Sequence, residues 1–189
     1  MPIDTQALNR GRHSLDNYDE LWLFGYGSLI YKVDFPYLSK EPAHIHGYQR
    51  RLWQGSSDHR GTPDSPGRVA TLTPVNGAVC YGIAYHVTQE EFEHLDHREK
   101  NGYLREEIDI FFQNGRKVRG LVYMATPDNE AFLGGATIEE LAQHIFNSSG
   151  PSGDNKDYVY ELAKALRARG VVDEHVLALE QALLKIESR

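Results

Sequence analysis

The pattern of apolar and polar positions changes twice along the chain. Residues 1–20 are polar and aperiodic, and they are read as a flexible N-terminal arm outside the core. From Leu21 the chain is dense in apolar and aromatic residues, and residues 21–189 read as a single domain. Leu21 to Phe24 is a short apolar run that stops at Gly25, and another strand is expected near residues 45–53. Residues 69–74 and 78–87 are rich in β-formers. In the second of these, Val79, Tyr81, Ile83, Tyr85 and Val87 alternate with smaller residues, the two-residue period of a strand. Asn76-Gly77 lies between the two runs and predicts a hairpin, because both residue types tolerate positive φ. Residues 103–112 and 117–124 repeat the arrangement around Asn114-Gly115.

The second half carries the helical period. Thr88 and Glu91 predict a capping box ahead of Phe92 and Leu95, and Thr137 and Glu140 predict another ahead of Leu141, Ile145 and Phe146. Tyr158 to Arg169 places Val159, Leu162, Ala163 and Leu166 on one face and stops at Gly170, with Asp154 or Asn155 as its cap. Val176 to Ile186 reads as a last amphipathic helix. Strands first and helices later predict an α+β fold, a small sheet or barrel with helices.

Composition narrows the function classes. The chain has 189 residues, ordinary for one domain, and carries 20 Lys plus Arg against 27 Asp plus Glu, a net charge of −7. That is not the basic footprint of a nucleic-acid or anionic-membrane binder. Cys80 is the single cysteine, so a disulfide framework and every paired-cysteine metal or redox site are excluded. No apolar run approaches the roughly 18 residues needed to span a bilayer, and residues 1–20 lack the apolar stretch of a secretory signal, so a cytoplasmic protein is expected. The nine histidines form no HExxH and meet no cysteine cluster, so no metal is expected.

Four stretches carry candidate chemistry. Phe24-Gly25-Tyr26-Gly27-Ser28-Leu29 follows an apolar strand, and its glycines either let main-chain N–H groups approach an anionic ligand or serve a tight turn alone. It lacks the third glycine of a dinucleotide fingerprint, because position 30 is Ile30, and it lacks the lysine of a phosphate loop. In the run Asp96 to Tyr103, Glu99 either points inward as a proton shuttle or belongs to a solvated helix end. Lys100-Asn101-Gly102 behind it reads either as a hinge or as a helix stop. Asp58-His59-Arg60-Gly61 with Pro66-Gly67-Arg68, and Gly150 to Tyr158, read first as loop and cap residues.

Taken in order, Phe24 to Ile30, Trp53-Gln54, Asp58 to Gly61, Pro66 to Val69, Tyr81 to Tyr85, Leu95 to Lys100, Gly102-Tyr103 and Gly150 to Gly153 with Asn155 and Tyr158 resemble the ChaC family of glutathione-specific γ-glutamylcyclotransferases. The resemblance spans about residues 21–187, and Lys32 to Tyr37 is similar to the family's shorter branch. It implies a γ-glutamylcyclotransferase-like α+β fold, a small mixed β-barrel flanked by helices. It also implies cleavage of glutathione to 5-oxoproline and Cys-Gly with no metal and no organic cofactor. By the same resemblance Glu99 is the catalytic acid/base, and Tyr26, Gly27, Ser28 and Leu29 hold the γ-glutamyl group. Tyr158 lines the site, while Asp58 and Arg60 are substrate-binding candidates, Arg60 or Arg68 taking the glycyl carboxylate. Glutathione is the expected partner, with no nucleic acid and no membrane, and the chain is expected as a monomer or weak homodimer. The competing functions are a cyclotransferase for other γ-glutamyl amino acids or amines, and a non-catalytic anion- or peptide-binding module of the same fold.

Overall fold

The computed structural model describes residues 5–12, 14–99 and 102–189. Their elements run α1 (Gln6–Arg12), β1 (Leu21–Gly25), β2 (Ser39–Ser56), β3 (Gly67–Val87), α2 (Gln89–Arg98), β4 (Tyr103–Phe112), β5 (Lys117–Ala125), α3 (Ile138–Phe146), α4 (Asn155–Ala168) and α5 (Glu174–Glu187), with a two-residue hairpin pair at Ser149–Gly150 and Gly153–Asp154 before α4. The five long strands close into a barrel in the order β1-β3-β2-β4-β5. The α+β expectation and the barrel are both met. The chain divides into two compact units, Met1–Gln49 with Leu72–Glu130 and Arg50–Thr71 with Ala131–Arg189.

In the first unit β1 is buried along its whole length, which is why it reads as a continuous apolar run rather than an alternating one. It pairs antiparallel with β3 from Leu21↔Val87 to Gly25↔Ile83 and parallel with β5 at Leu23↔Leu121. Strands β4 and β5 form an antiparallel hairpin from Tyr103↔Ala125 to Phe111↔Lys117, as Asn114-Gly115 predicts. Inward positions of β4 (Ile108, Ile110 and Phe112) alternate with half-buried ones, and they join Leu23, Phe24, Ile45, Tyr85 and Leu121 in the core. Helix α2 buries Phe92, Leu95 and Asp96, three positions of one helical face.

In the second unit α3, α4 and α5 bury Leu141, Ile145, Val159, Leu162, Val176, Leu179 and Leu183. Thr137 caps α3 by accepting the Glu140 N–H at 3.2 Å, and Asp173 caps α5 by accepting the Val176 N–H at 3.0 Å. Asp173 also pairs with Arg50 at 2.6 Å, and the Arg50 side chain is 1% exposed.

Four sequence expectations need correction. Asn76-Gly77 makes no hairpin: β3 runs unbroken from Gly67 to Val87, and Gly77, at φ +81°, is instead a kink within one long strand. A positive-φ glycine serves a bulge as well as a turn, so the dipeptide alone cannot separate the two. Thr88 precedes α2, but its side chain caps nothing, because its own carbonyl takes the Glu91 N–H at 3.1 Å. Asp154 likewise makes no side-chain cap on α4. Finally, residues 5–12 do not run outside the core. Asn9 of α1 is fully buried, and its side chain bonds to β4. Hydrophobic periodicity is blind to a segment whose packing is made by polar side chains on backbone groups.

Candidate active site

Glu99 ends α2, its N–H bonded to the Leu95 carbonyl at 2.9 Å. It follows Leu95 by four residues and Asp96 by three, so helical geometry carries it on the face those residues bury. Its side chain is 21% exposed, and Arg98 Nε lies 3.7 Å from its carboxylate. Arg98 also pairs with Asp34. An open groove of about 380 Å³ lined by Asp34, Phe35, Leu95 and Arg98, among others, includes neither Glu99 nor Tyr26–Leu29.

One turn before Glu99, the buried Asp96 accepts a hydrogen bond from the Tyr123 hydroxyl and from Arg105 Nη1, the latter at 2.6 Å. Burial raises the Asp96 pKa, against the opposing pull of the Tyr123 and Arg105 bonds. Burial also raises the Tyr123 pKa, followed by the Asp96 charge and, more weakly, the Glu99 charge. The phenol is therefore a fixed donor to Asp96 and lies within the electrostatic reach of Glu99.

The same Tyr123 meets the glycine loop. The Tyr26 hydroxyl donates to the Tyr123 carbonyl, and Tyr26 itself is 7% exposed. After Tyr26 the chain makes one 3₁₀ turn, Ser28–Ile30. Within it the Ile30 N–H goes to the Gly27 carbonyl at 3.0 Å, and the Tyr31 and Lys32 N–H groups go to the Ser28 carbonyl at 3.1 and 2.7 Å. The turn is held from outside by the Tyr85 hydroxyl, which donates to the Leu29 carbonyl, while Phe35 and Tyr37 stack edge-on against the Tyr85 ring. Gly25 is where strand and turn come closest, since a Cβ there would lie 2.8 Å from Leu29 Cβ. The first unit thus joins Tyr26, Gly27, Ser28 and Leu29 to the end of α2 through the chain Tyr26–Tyr123–Asp96.

The second unit holds Asp58, Arg60 and Tyr158. Arg60 Nη1 donates to the Asp154 carbonyl at 3.0 Å, and its guanidinium lies 5.9 Å from the centre of the Tyr158 ring. Tyr158 is buried, and its hydroxyl accepts the Ala70 N–H at 3.0 Å. Asp58 is 42% exposed, 3.8 Å from the His59 ring. Arg68 is not presented as a carboxylate receptor. It is buried, with Nη1 on the Gly134 carbonyl at 2.8 Å and Nε on His144 Nδ1 at 3.1 Å, and desolvation lowers its pKa.

The stretches read first as loops and caps pack directly on one another. Asn155 bonds the N–H and the carbonyl of Arg68, each at 2.8 Å, and the Ser152 N–H reaches the His59 carbonyl at 2.9 Å. Gly61 and Gly67 touch so closely that a Cβ on Gly61 would fall 2.1 Å from the Gly67 nitrogen. Cys80 is buried in β3, as a small core residue would be. Lys100 and Asn101, two of the three expected hinge positions, lie outside the described residues. Among the described residues no group of three His, Cys, Asp or Glu is placed to ligate a metal, and no helix is long and apolar enough to cross a membrane.

Sequence reasoning missed Asp96, Tyr123, Arg105 and Tyr85 as parts of this arrangement. Asp96 carried a usable signal, a carboxylate four residues after Phe92 on the apolar face of α2. Tyr85 stood in the Tyr81–Tyr85 block of the resemblance without a role, and Tyr123 carried no signal, since an inward tyrosine on a strand reads as core.

The closed five-stranded barrel with its helices is a γ-glutamylcyclotransferase-like α+β fold. A crystal structure of a γ-glutamylcyclotransferase specific to glutathione from yeast matches with a TM-score of 0.81 at 34% identity, covering 89% of this chain and 97% of that chain. A family model described as ChaC-like protein matches residues 21–186. "Gamma-glutamylcyclotransferase 2-3" of Arabidopsis thaliana is 43% identical over 89% of this chain and 90% of its own length, and "Glutathione-specific gamma-glutamylcyclotransferase 1" of Danio rerio is 42% identical over 87% and 89%. The chain belongs to the ChaC-like family.

Proposed function

We propose that this protein is a glutathione-specific γ-glutamylcyclotransferase that uses Glu99 as its general base and acid. The observation that carries the reading is the polar chain Tyr26–Tyr123–Asp96, which ties the turn at Ser28–Ile30 to the helix end that bears Glu99. The names of the relatives supply the substrate.

The substrate brings its own nucleophile. Its α-amine attacks the γ-carbonyl carbon, forming a C–N bond and a five-membered ring. The carbonyl oxygen takes the displaced electron pair. When that pair returns, the amide C–N bond breaks and the Cys-Gly amine leaves, giving 5-oxoproline. Three tasks remain for the protein. It must fold the γ-glutamyl chain so that amine and carbonyl meet, which removes rotational freedom before the reaction. It must take a proton from the substrate's α-ammonium so that the free amine can attack, and return one to the leaving amine, and one carboxylate does both in turn. It must also offer donors to the developing oxyanion or to the α-carboxylate. The turn at Ser28–Ile30 suits the last task, because the opening N–H groups of a helical turn have no acceptor inside it. Glu99 suits the second, because it is largely buried at a helix end beside Arg98.

The test is a mass-spectrometric assay of purified protein with reduced glutathione, following 5-oxoproline and Cys-Gly, with Glu99→Gln in parallel. Wild type forms both products, and the variant loses at least about 100-fold in kcat. Equal activity in the two proteins removes Glu99 from its role. No product from folded wild type, with turnover of γ-glutamyl-alanine instead, moves the specificity to other γ-glutamyl compounds.

A further inference from the structure

Strand β4 has β5 along one side from Tyr103 to Phe111. On its other side, β2 pairs with it at Ala43↔Phe112 and His44↔Phe111, at the far end. At the near end the second edge of β4 is met by side chains of the N-terminal segment. The Asn9 amide donates to the Tyr103 carbonyl at 3.1 Å and accepts the Arg105 N–H at 2.8 Å, the two bonds a neighbouring strand would make. Arg12 Nε donates to the Arg105 carbonyl at 3.1 Å. The Thr5 hydroxyl lies 2.8 Å from the Tyr103 carbonyl and 3.3 Å from the Glu99 carbonyl. Arg105 reciprocates, its Nη2 donating to the Asn9 carbonyl at 2.8 Å while its Nη1 holds Asp96. Asn9 is 0% exposed and Thr5 3%. Buried polar side chains with both ends bonded are built features, and covering a strand edge in this way is a recurrent use of a short helix.

The groups held are not arbitrary. Glu99 is the C-cap of α2, and Tyr103 is the first residue of β4. The single Thr5 hydroxyl proton goes to the Tyr103 carbonyl at 2.8 Å with the Glu99 carbonyl 3.3 Å away as its weaker branch, and Asn9 and Arg105 fasten the start of β4 to Asp96, one turn back on α2. We propose that Thr5 and Asn9 are positioning residues for catalysis, and that residues 5–12 form a clamp setting the main chain from which the Glu99 carboxylate is presented. The proposal rests on the reading of Glu99 as the general base. Neither residue touches the substrate in this reading. They act through the placement of Glu99, and a displacement on the order of 1 Å at a catalytic group costs roughly 100-fold in rate.

Full-length Thr5→Val, Thr5→Ser, Asn9→Ala and Glu99→Gln are compared for kcat, KM and Tm, with kcat expressed per folded molecule. Thr5→Val removes the hydroxyl at constant shape, and Thr5→Ser keeps it. Thr5→Val and Asn9→Ala are expected to lower kcat by about 10–100-fold with KM within about 3-fold, while Thr5→Ser stays within about 3-fold of wild type. A merely structural role would lower Tm and leave kcat per folded molecule unchanged, and that result overturns the clamp. If Asn9→Ala does not fold, the Thr5→Val and Thr5→Ser pair decides. Loss of activity in Glu99→Gln with unchanged kcat in Thr5→Val removes the clamp alone. Retained activity in Glu99→Gln removes the base and the clamp together.

Discussion

At the scale of single residues, the chemistry near Glu99 depends on one buried charge pair. Arg105 and Asp96 are 2% and 4% exposed at their side chains and 2.6 Å apart. Taking both charges from water is costly, so the pair is of little net benefit by itself. Breaking it is another matter. Asp96→Ala leaves a guanidinium and the Tyr123 hydroxyl without their acceptor, and is expected to destabilise the protein by about 3–5 kcal/mol. Urea unfolding at neutral pH measures this, and a loss under about 1 kcal/mol would show that Arg105 finds water or another acceptor. Glu99 was legible as the candidate base only through the family resemblance, because the residues around it left an inward carboxylate and a solvated helix end both open. Its supporting residues were not, because Tyr123 lies 24 positions away and reaches Asp96 only when β5 is in place.

At the scale of elements, two capping motifs with the same spacing differ in the folded chain. Thr137 accepts the Glu140 N–H, whereas the Thr88 side chain accepts none. Thr137→Ala is therefore expected to cost about 1 kcal/mol and Thr88→Ala less than about 0.5 kcal/mol. Paired denaturation midpoints check this, and equal losses would mean that both threonines act through something other than capping. The same contrast explains the Asn-Gly dipeptides. Asn114-Gly115 turns the chain back because β4 and β5 each have an inward face that the hairpin brings to one core. Asn76-Gly77 does not, because β3 continues through it from Gly67 to Val87, and the positive φ of Gly77 is taken up within the strand. Local chemistry fixes that a residue permits a left-handed conformation. It leaves open whether a turn or a kink uses it.

At the scale of the whole molecule, stability is coupled to pH through His175 at the start of α5. Its Nε2 accepts the Leu52 N–H at 3.1 Å, and burial, helped by Arg51, lowers its pKa from 6.5 to about 4. The folded state therefore holds the neutral ring and the unfolded state binds the extra proton. Stability is full above about pH 6.5 and falls as the pH drops toward 4, by about 2–3 kcal/mol at pH 4.5 for this one group. His175→Gln keeps a side-chain oxygen and removes the titration, so its loss of stability between pH 7 and 4.5 is expected to be smaller than that of wild type by about that amount. Parallel losses in the two proteins would place the acid sensitivity elsewhere.

Glu99 as the base came from the family resemblance, while the sequence by itself determined most element types, the buried faces of the later helices, the β4–β5 hairpin and the glycine loop at Tyr26–Leu29. Each of these is written in spacings of a few residues, where steric limits on the backbone and the burial of apolar faces act locally. Only the tertiary structure decided that the polar N-terminal segment covers an edge of β4. It alone decided that Asn155 belongs to Arg68 rather than to a helix cap, that Arg68 is internal, and that Asp96, Arg105 and Tyr123 form one network. These are pairings of polar groups far apart in the chain. A hydrogen bond has no period along the sequence, and its partner is chosen by which backbone edges and buried charges the closed barrel leaves unsatisfied.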